Sequence, residues 1–255
     1  MEAPGWKRAV LVPVYFFLGG IAGGTYALGA ASKELAPAAL RFPFPLLLLC
    51  GAILVLDLTR PARFWRLFAV WKPESPLSLG AWALLLFGPF SLAAFLRPDL
   101  RSPWLLVPGT ALALLLASYT GVLLTVSSRP LWNRTLLLGP VFLASAMATS
   151  AATLLLLDSG AVLFGLRIVA AVSLVAQLLL LTSHLRLTAR RIGTDHPDLL
   201  RLLAGPFALE HWASTIAGTL LPAALLLACR GIAPAAALTL LGGLLFRRSI
   251  FLAGE

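Results

Sequence analysis

Eight long apolar stretches constrain this chain more than any other feature. Hydrophobic residues make up 60% of its 255 residues and charged residues only 12%, which is half the charged fraction of an ordinary soluble domain. A helix needs about 20 apolar residues to span a bilayer, so eight such helices leave room for little except connections. The sequence therefore predicts an all-α, polytopic membrane protein with about eight transmembrane helices and no separate soluble domain. The stretches are Val10–Ala31, Phe42–Leu58, Leu77–Leu96, Trp104–Val126, Leu136–Leu157, Ala161–Leu181, Phe207–Ala228 and Gly231–Phe246.

The chain is basic, with 20 Lys and Arg residues against 10 Asp and Glu. In membrane proteins these cations concentrate in loops at the bilayer surface, so we expect contact with membrane lipids and no nucleic-acid partner. Eight spans place both termini on one side of the membrane, called the terminus side below. Fourteen of the 20 cations fall on that side and five on the other, with Arg167 inside a span. The positive-inside rule then places the termini in the cytoplasm.

Residues that bind metals or haem are scarce. Cys50 and Cys229 both lie in apolar stretches, and an iron–sulfur cluster takes four ligands. A membrane haem would need pairs of histidines inside helices, but of His184, His196 and His211 only the last lies near a predicted span. We therefore expect no metal and no haem in this chain.

Polar side chains gather near one face of the predicted helices. Ionisable residues within spans are costly and tend to be functional. At 1.5 Å per residue, one set lies within roughly 10 Å of the terminus side: Tyr15, Asp57, Tyr119, Glu210, His211, Arg247 and Arg248. These residues either form a pocket at the headgroup boundary or are unrelated interfacial tyrosines, helix caps and positive flanks. A carboxylate and a tyrosine at this depth suit proton exchange with a quinone, whose carbonyl needs a hydrogen-bond donor.

Six strings of residues, in the right order, resemble the NrfD/PsrC family of membrane subunits. They are PVYFFLGGIAGG from Pro13, DLTRPARFW from Asp57, SPLSLGAW from Ser75, SYTG from Ser118, RPLWN from Arg129 and GGLLFR from Gly242. The resemblance covers nearly the whole chain. It implies two packed four-helix bundles, which we expect at residues 1–135, with the quinone site, and at residues 136–255.

The same resemblance implies a function. Members of the family exchange electrons between membrane quinones and an iron–sulfur subunit, which commonly serves a molybdopterin enzyme such as polysulfide reductase. We therefore expect a multi-pass anchor subunit in a bacterial inner membrane that is active only within an oxidoreductase complex. Its partners would be a ferredoxin-like iron–sulfur subunit and a molybdopterin catalytic subunit, which carry the clusters and the molybdopterin. Its bound substrate would be menaquinone or ubiquinone.

Motif position also suggests roles for single residues. Quinone binding and proton exchange are expected from Tyr15, Asp57 and Tyr119, although some relatives carry a histidine where this chain has Tyr15. Positive charge that shapes the pocket is expected from Arg60, Arg63, Arg247 and Arg248. Candidates for a proton path are Glu210 and His211.

Two other functions stay open at this point. A small secondary transporter would bind its substrate near the midplane on broken helices, whereas this midplane is nearly free of ionisable residues. A passive anchor without a quinone site would tolerate replacement of the pocket residues. The orientation also stays open, because an exported partner would place the quinone face outside, against the count of positive charges. We favour the outside placement, since several of the arginines that tilt the count can serve the site.

Overall fold

The computed structural model describes residues 6–57, 76–157 and 162–254, and these residues contain helices and no strand. The predicted all-α membrane fold is confirmed. A π-helical turn, Ile216–Leu220, joins the helices Ala208–Thr215 and Leu221–Leu227. The helices are α1 (Trp6–Ala31), α2 (Ala36–Ala39), α3 (Pro43–Asp57), α4 (Pro76–Leu96), α5 (Pro103–Thr125), α6 (Pro130–Asn133), α7 (Leu138–Leu157), α8 (Leu163–Ile192), α9 (Pro197–Leu203), α10 (Ala208–Thr215), α11 (Leu221–Leu227) and α12 (Ile232–Gly254).

Eight apolar helical segments lie where the sequence places them. Within the described ranges, six are long and apolar enough to cross a bilayer: Ala9–Ala31, Ala36–Leu56, Pro103–Thr125, Leu138–Leu157, Leu163–Ile192 and Ile232–Gly254. A seventh, Gly80–Leu96, is apolar but shorter. The eighth is α10, the π turn and α11 in succession.

Two helices end two turns or more beyond the predicted residue. Helix α8 ends at Ile192 instead of Leu181; its 30 residues measure about 45 Å against about 30 Å of hydrocarbon, so one end extends beyond the core. Helix α12 continues to Gly254, so Arg247 and Arg248 lie inside it and do not close it. In both cases polar residues lower the hydropathy before the helix ends, so the predicted span stops too early. The helix itself continues, because other helices pack against these residues.

The helices form two rings of four that pack side by side. In the first ring, α1, α3, α4 and α5 each contact the next, and α5 returns to α1. In the second, α7 contacts α8, α8 contacts α11, and α12 contacts α10, α11 and α7. The rings meet where α7 packs against α1 and α5, and where α12 packs against α1. This arrangement supports a division near residue 135, which stays a prediction.

Small residues let α1 lie at the junction of the two rings. A side chain at Gly23 would collide with the carbonyl oxygen of Ala113 in α5, and one at Gly24 would collide with Ser150 in α7. The Ser150 hydroxyl donates a hydrogen bond of 3.2 Å to the Ile21 carbonyl oxygen. Glycines spaced in this way let helix backbones approach closely. The paired glycines therefore let α1 pack closely against both α5 and α7.

A second close approach yields a prediction about stability. Gly218 in the π turn and Gly242 in α12 lie so near that a Cβ atom on either would collide with the other's backbone. We expect Gly242→Leu to lower the Tm of the purified protein by about 5 °C or more, because overpacking forces the two helices apart. Gly165→Leu is the control, because a Cβ atom there meets nothing within 4 Å. Equal Tm values for the two variants would contradict the prediction.

Candidate functional site

A small cavity opens inside the first ring, among α1, α3, α4 and α5. Its volume is about 30 Å³, which is enough for a water molecule. Most of its wall is glycine, alanine and leucine. The side chains on its wall that can form hydrogen bonds are those of Tyr15, Cys50, Tyr119 and Thr120. We call it the tyrosine cavity.

The Tyr119 side chain packs against α4 at Gly80. A Cβ atom on Gly80 would collide with the Tyr119 phenol, and the Gly80 backbone hydrogen-bonds to the Tyr119 hydroxyl. The next residue on α5, Thr120, is buried and lines the same cavity. The absence of a side chain at Gly80 therefore makes the room that the phenol occupies.

Tyr15 reaches the same cavity from α1. Its ring packs edge-on against Phe16, with ring centroids 4.7 Å apart. Its carbonyl oxygen accepts a hydrogen bond from the Cys50 thiol of α3, with an Sγ–O distance of 3.6 Å. The structure thus brings together two of the three residues expected to contact a quinone, although they are far apart in the sequence.

Asp57 is the last residue of α3. Its side chain lies outside the described residues, as do Arg60 and Arg63. Leu54, three positions earlier on the same helix, lines the tyrosine cavity, and positions three apart share a helix face. Position 57 therefore lies about one turn beyond the cavity wall, towards the terminus side.

Arg247 is fully buried between α1, α7 and α12. Its Nη1 donates to the Ser145 hydroxyl and to the Gly243 carbonyl oxygen, both at 3.0 Å. Its guanidinium carbon lies 5.5 Å from the ring centroid of Phe17 and 5.6 Å from that of Phe142. Among the described residues Nε and Nη2 have no hydrogen-bond partner, and the guanidinium forms no ion pair. Arg247 is therefore a desolvated cation whose charge is only partly compensated.

Arg247 and the tyrosine cavity lie on different sides of α1, so Arg247 does not line the cavity. Gly19 lines the cavity, whereas a Cβ atom on Gly20 would lie 2.8 Å from Nη2 of Arg247. Neighbouring positions on a helix point in directions about 100° apart, and a helix with its side chains is about 10 Å across. The charge of Arg247 can therefore act on the cavity through space but not by contact.

The remaining predicted residues lie in the second ring. Arg248 forms an ion pair with Glu210 that joins α12 to α10. His211 is buried, and its Nδ1 has no hydrogen-bond partner within the described part of the chain. The hydroxyls of Ser214 and Thr215 each donate to the His211 carbonyl oxygen at 2.8 Å. None of Arg248, Glu210 and His211 lines the tyrosine cavity, so the proton path proposed for Glu210 and His211 stays a prediction.

Of the ten residues that line the tyrosine cavity, the sequence indicates only Tyr15 and Tyr119 as site residues. The others include Cys50, Gly80 and Thr120. Two of these three lie inside strings that carry the resemblance, Gly80 in SPLSLGAW and Thr120 in SYTG, so those strings could have indicated them. Cys50 lies in an apolar stretch and has no such signal. In the described ranges, no group of three or more His, Cys, Asp and Glu residues could hold a metal ion.

The fold and the cavity define a polytopic helical membrane protein with a tyrosine-lined cavity in its first ring of helices. The sequence model of the NrfD_2 family, described as polysulfide reductase, matches residues 4–255, essentially the whole chain. The chain therefore belongs to the NrfD_2 polysulfide reductase family, and the resemblance seen in its sequence is confirmed. No curated protein matches the chain.

Proposed function

We propose that this chain is the quinone-reactive membrane subunit of a polysulfide reductase-like complex in a bacterial inner membrane. The observation that carries the proposal is that Tyr15 of α1 and Tyr119 of α5 line one cavity, in a chain of this family. A phenol hydroxyl can donate to a quinone carbonyl and can accept from a quinol hydroxyl. A pair of phenols in an apolar wall therefore suits both forms of the substrate.

The proposed reaction balances across three subunits. A quinol gives two electrons, one at a time, to the clusters of a ferredoxin-like iron–sulfur subunit, and it releases two protons. Asp57 and Tyr119 exchange those protons, while Tyr15 donates a hydrogen bond to the carbonyl that forms. The molybdopterin subunit uses the electrons on its own substrate. The reverse direction reduces menaquinone or ubiquinone with the same groups.

Positive charge near the site serves the same chemistry. A quinone that has gained one electron is an anion until it is protonated, and a nearby cation stabilises an anion. This is the role we propose for Arg60, Arg63 and Arg247, whereas the charge of Arg248, the fourth arginine expected to serve the site, is compensated by Glu210. Glu210 and His211 stay candidates for proton movement in the second ring.

We expect Tyr119→Phe to lower quinol turnover of the intact complex about 10- to 100-fold. The change removes one hydroxyl next to the reacting oxygen, and hydrogen bonds of this kind contribute about 1.5–3 kcal/mol. Tyr26→Phe is the matched control, because Tyr26 is a buried tyrosine outside the cavity whose hydroxyl donates to the Leu105 carbonyl oxygen at 3.1 Å. We expect that control to keep its turnover within about twofold. Normal turnover in Tyr119→Phe would favour a passive anchor.

The composition of the native complex tests the proposal at a coarser level. The chain is purified gently from its own membrane, and mass spectrometry identifies what stays bound. We expect an iron–sulfur subunit, a molybdopterin subunit and a quinone. A chain that carries neither partner nor quinone, under conditions that preserve related complexes, would favour the secondary transporter.

A further inference from the structure

A larger hollow adjoins the tyrosine cavity on the outer side of the first ring. It lies between α3 and α4, and its volume is about 480 Å³, within the range of about 300–1,000 Å³ that is usual for ligand pockets. It shares Leu54, Ala81 and Leu84 with the tyrosine cavity, so the two adjoin at these residues. We call it the α3–α4 groove.

The tyrosine cavity in this structure is smaller than a quinone ring. Its volume of about 30 Å³ suits a water molecule and is far below that of a substituted aromatic ring. The α3–α4 groove meets the cavity wall at the three shared residues, so a ring at its inner end would lie next to Tyr15 and Tyr119. The carbonyl would then point at the phenols while the rest of the molecule stays in the groove.

The groove runs from the site towards the middle of the membrane. On α3 its wall extends from Leu54 to Phe44, a distance of about 15 Å along the helix axis. On α4 it extends from Ala81 to Pro89, and because the next helix along the chain runs in the opposite direction, both walls point the same way. Every lining residue is apolar, so the groove offers nothing to a polar ligand.

The groove is open because two of its positions are glycine. A Cβ atom on Gly51 would meet nothing within 4 Å, and one on Gly88 would meet only the Leu47 side chain, at 3.9 Å. On its rim, Leu48 is 59% and Leu85 47% exposed, and in a membrane that exposed surface faces lipid. A long apolar chain can therefore enter sideways from the bilayer without crossing the protein.

We propose that the α3–α4 groove binds the polyprenyl tail of the quinone, while the ring lies at the inner end beside Leu54, Ala81 and Leu84. The inference rests on the proposed function, because it assigns the tail of the same substrate. It adds the direction from which the substrate enters and the residues that select for tail length. Three observations carry it: the stretch of wall shared with the tyrosine cavity, the wholly apolar lining, and the course from the terminus side to the midplane.

The test fills the groove without disturbing the phenols. Gly51→Leu and Gly88→Leu place side chains in open space, and Gly165→Leu is the matched control on α8, where an added Cβ atom also meets nothing within 4 Å. Each variant is assayed in the intact complex with two quinols of the same ring, one with a long polyprenyl tail and one without a tail. We expect Gly51→Leu to raise KM for the long-tailed quinol at least fivefold and to leave the kinetics of the tail-less quinol unchanged. Gly165→Leu should match the wild type with both.

The amount of long-tailed quinone that stays bound per purified complex, measured by mass spectrometry, gives a readout independent of turnover. It should fall in Gly51→Leu and Gly88→Leu but not in Gly165→Leu. An unchanged KM for the long-tailed quinol in both groove variants would overturn the inference. Loss of turnover with both quinols in a complex that assembles would also overturn it, because the groove would then hold the ring. Loss of a bound phospholipid with no loss of quinone would show that an acyl chain occupies the groove.

These results stay distinct from a failure of the proposed function. If the wild-type complex oxidises neither quinol, the quinone role itself is wrong. If the wild type oxidises both and the groove variants do not discriminate between them, only the tail assignment is wrong. Gly88→Leu keeps the test decisive if Gly51→Leu does not assemble.

Discussion

Asp57→Asn is expected to lower quinol turnover of the intact complex by about 10²–10⁴-fold, which is the usual contribution of a general acid–base group. Position 57 ends α3, one turn after the cavity residue Leu54. Asparagine is nearly the same shape as aspartate but cannot take up a proton from a quinol. The expected loss is therefore a loss of proton transfer and not of binding.

We expect Asp57→Asn to lower the activity of the complex without lowering its stability. Asparagine has nearly the size and shape of aspartate, so Asp57→Asn should assemble as well as the wild type and have a similar Tm. The measurement is turnover together with the yield of complex, with Asp57→Glu expected to recover part of the activity.

A matched control for this variant lies at the other side of the membrane. Asp99 is exposed, and its carboxylate pairs with Arg97 at 3.3 Å. Asp99→Asn should change neither turnover nor assembly, because exposed ion pairs contribute little. Turnover in Asp57→Asn equal to that in Asp99→Asn would show that Asp57 has no part in proton exchange.

The eight spans could be predicted because hydrophobicity over 20 residues is a local property of the chain. The ends of α8 and α12 could not, because they depend on what packs around them. Residues Ser249 to Ala253 are buried by other helices, so α12 continues past Arg247 and Arg248. Hydropathy measures how well a side chain suits the interior of the membrane. It gives no information about which helix packs beside that side chain.

For the site, the depth of each residue in the membrane could be predicted from the sequence, but the direction of its side chain could not. The positions of Tyr15, Tyr119 and Arg247 along the predicted helices put them near the same depth. Depth does not show which ring of helices each side chain faces, because that depends on the rotation of α1, α5 and α12. The structure places the two tyrosines in one cavity, whereas the arginine lies on another side of α1, between the two rings. Glu210 and Arg248 were also predicted at that depth, but they pair with each other in the second ring.

Arg247→Met is expected to leave the fold intact, with a Tm equal to or above that of the wild type. A buried cation with two unpaired nitrogen atoms loses more hydration than its hydrogen bonds return. Replacing buried charges with apolar side chains of similar size is often neutral or stabilising by about 1–4 kcal/mol. Arg248→Met is the control, because it leaves the half-buried Glu210 without its ion-pair partner and should lower the Tm. A fall in Tm for Arg247→Met larger than that for Arg248→Met would show that Arg247 is mainly a structural clamp.

If Arg247 is retained for its charge, the same variant should change the quinone chemistry. A unit charge about 10 Å from the cavity, at an effective dielectric constant of about 20, contributes about 1.7 kcal/mol to an anion there. We therefore expect Arg247→Met to lower the potential of the quinone–semiquinone step by about 70 mV and to slow turnover roughly tenfold. A redox titration of the semiquinone signal in the purified complex measures the shift, and Arg247→Lys, which keeps the charge, should restore most of it. An unchanged potential in a stable Arg247→Met complex would mean that the charge does not act on the site, because no contact joins this residue to the tyrosine cavity.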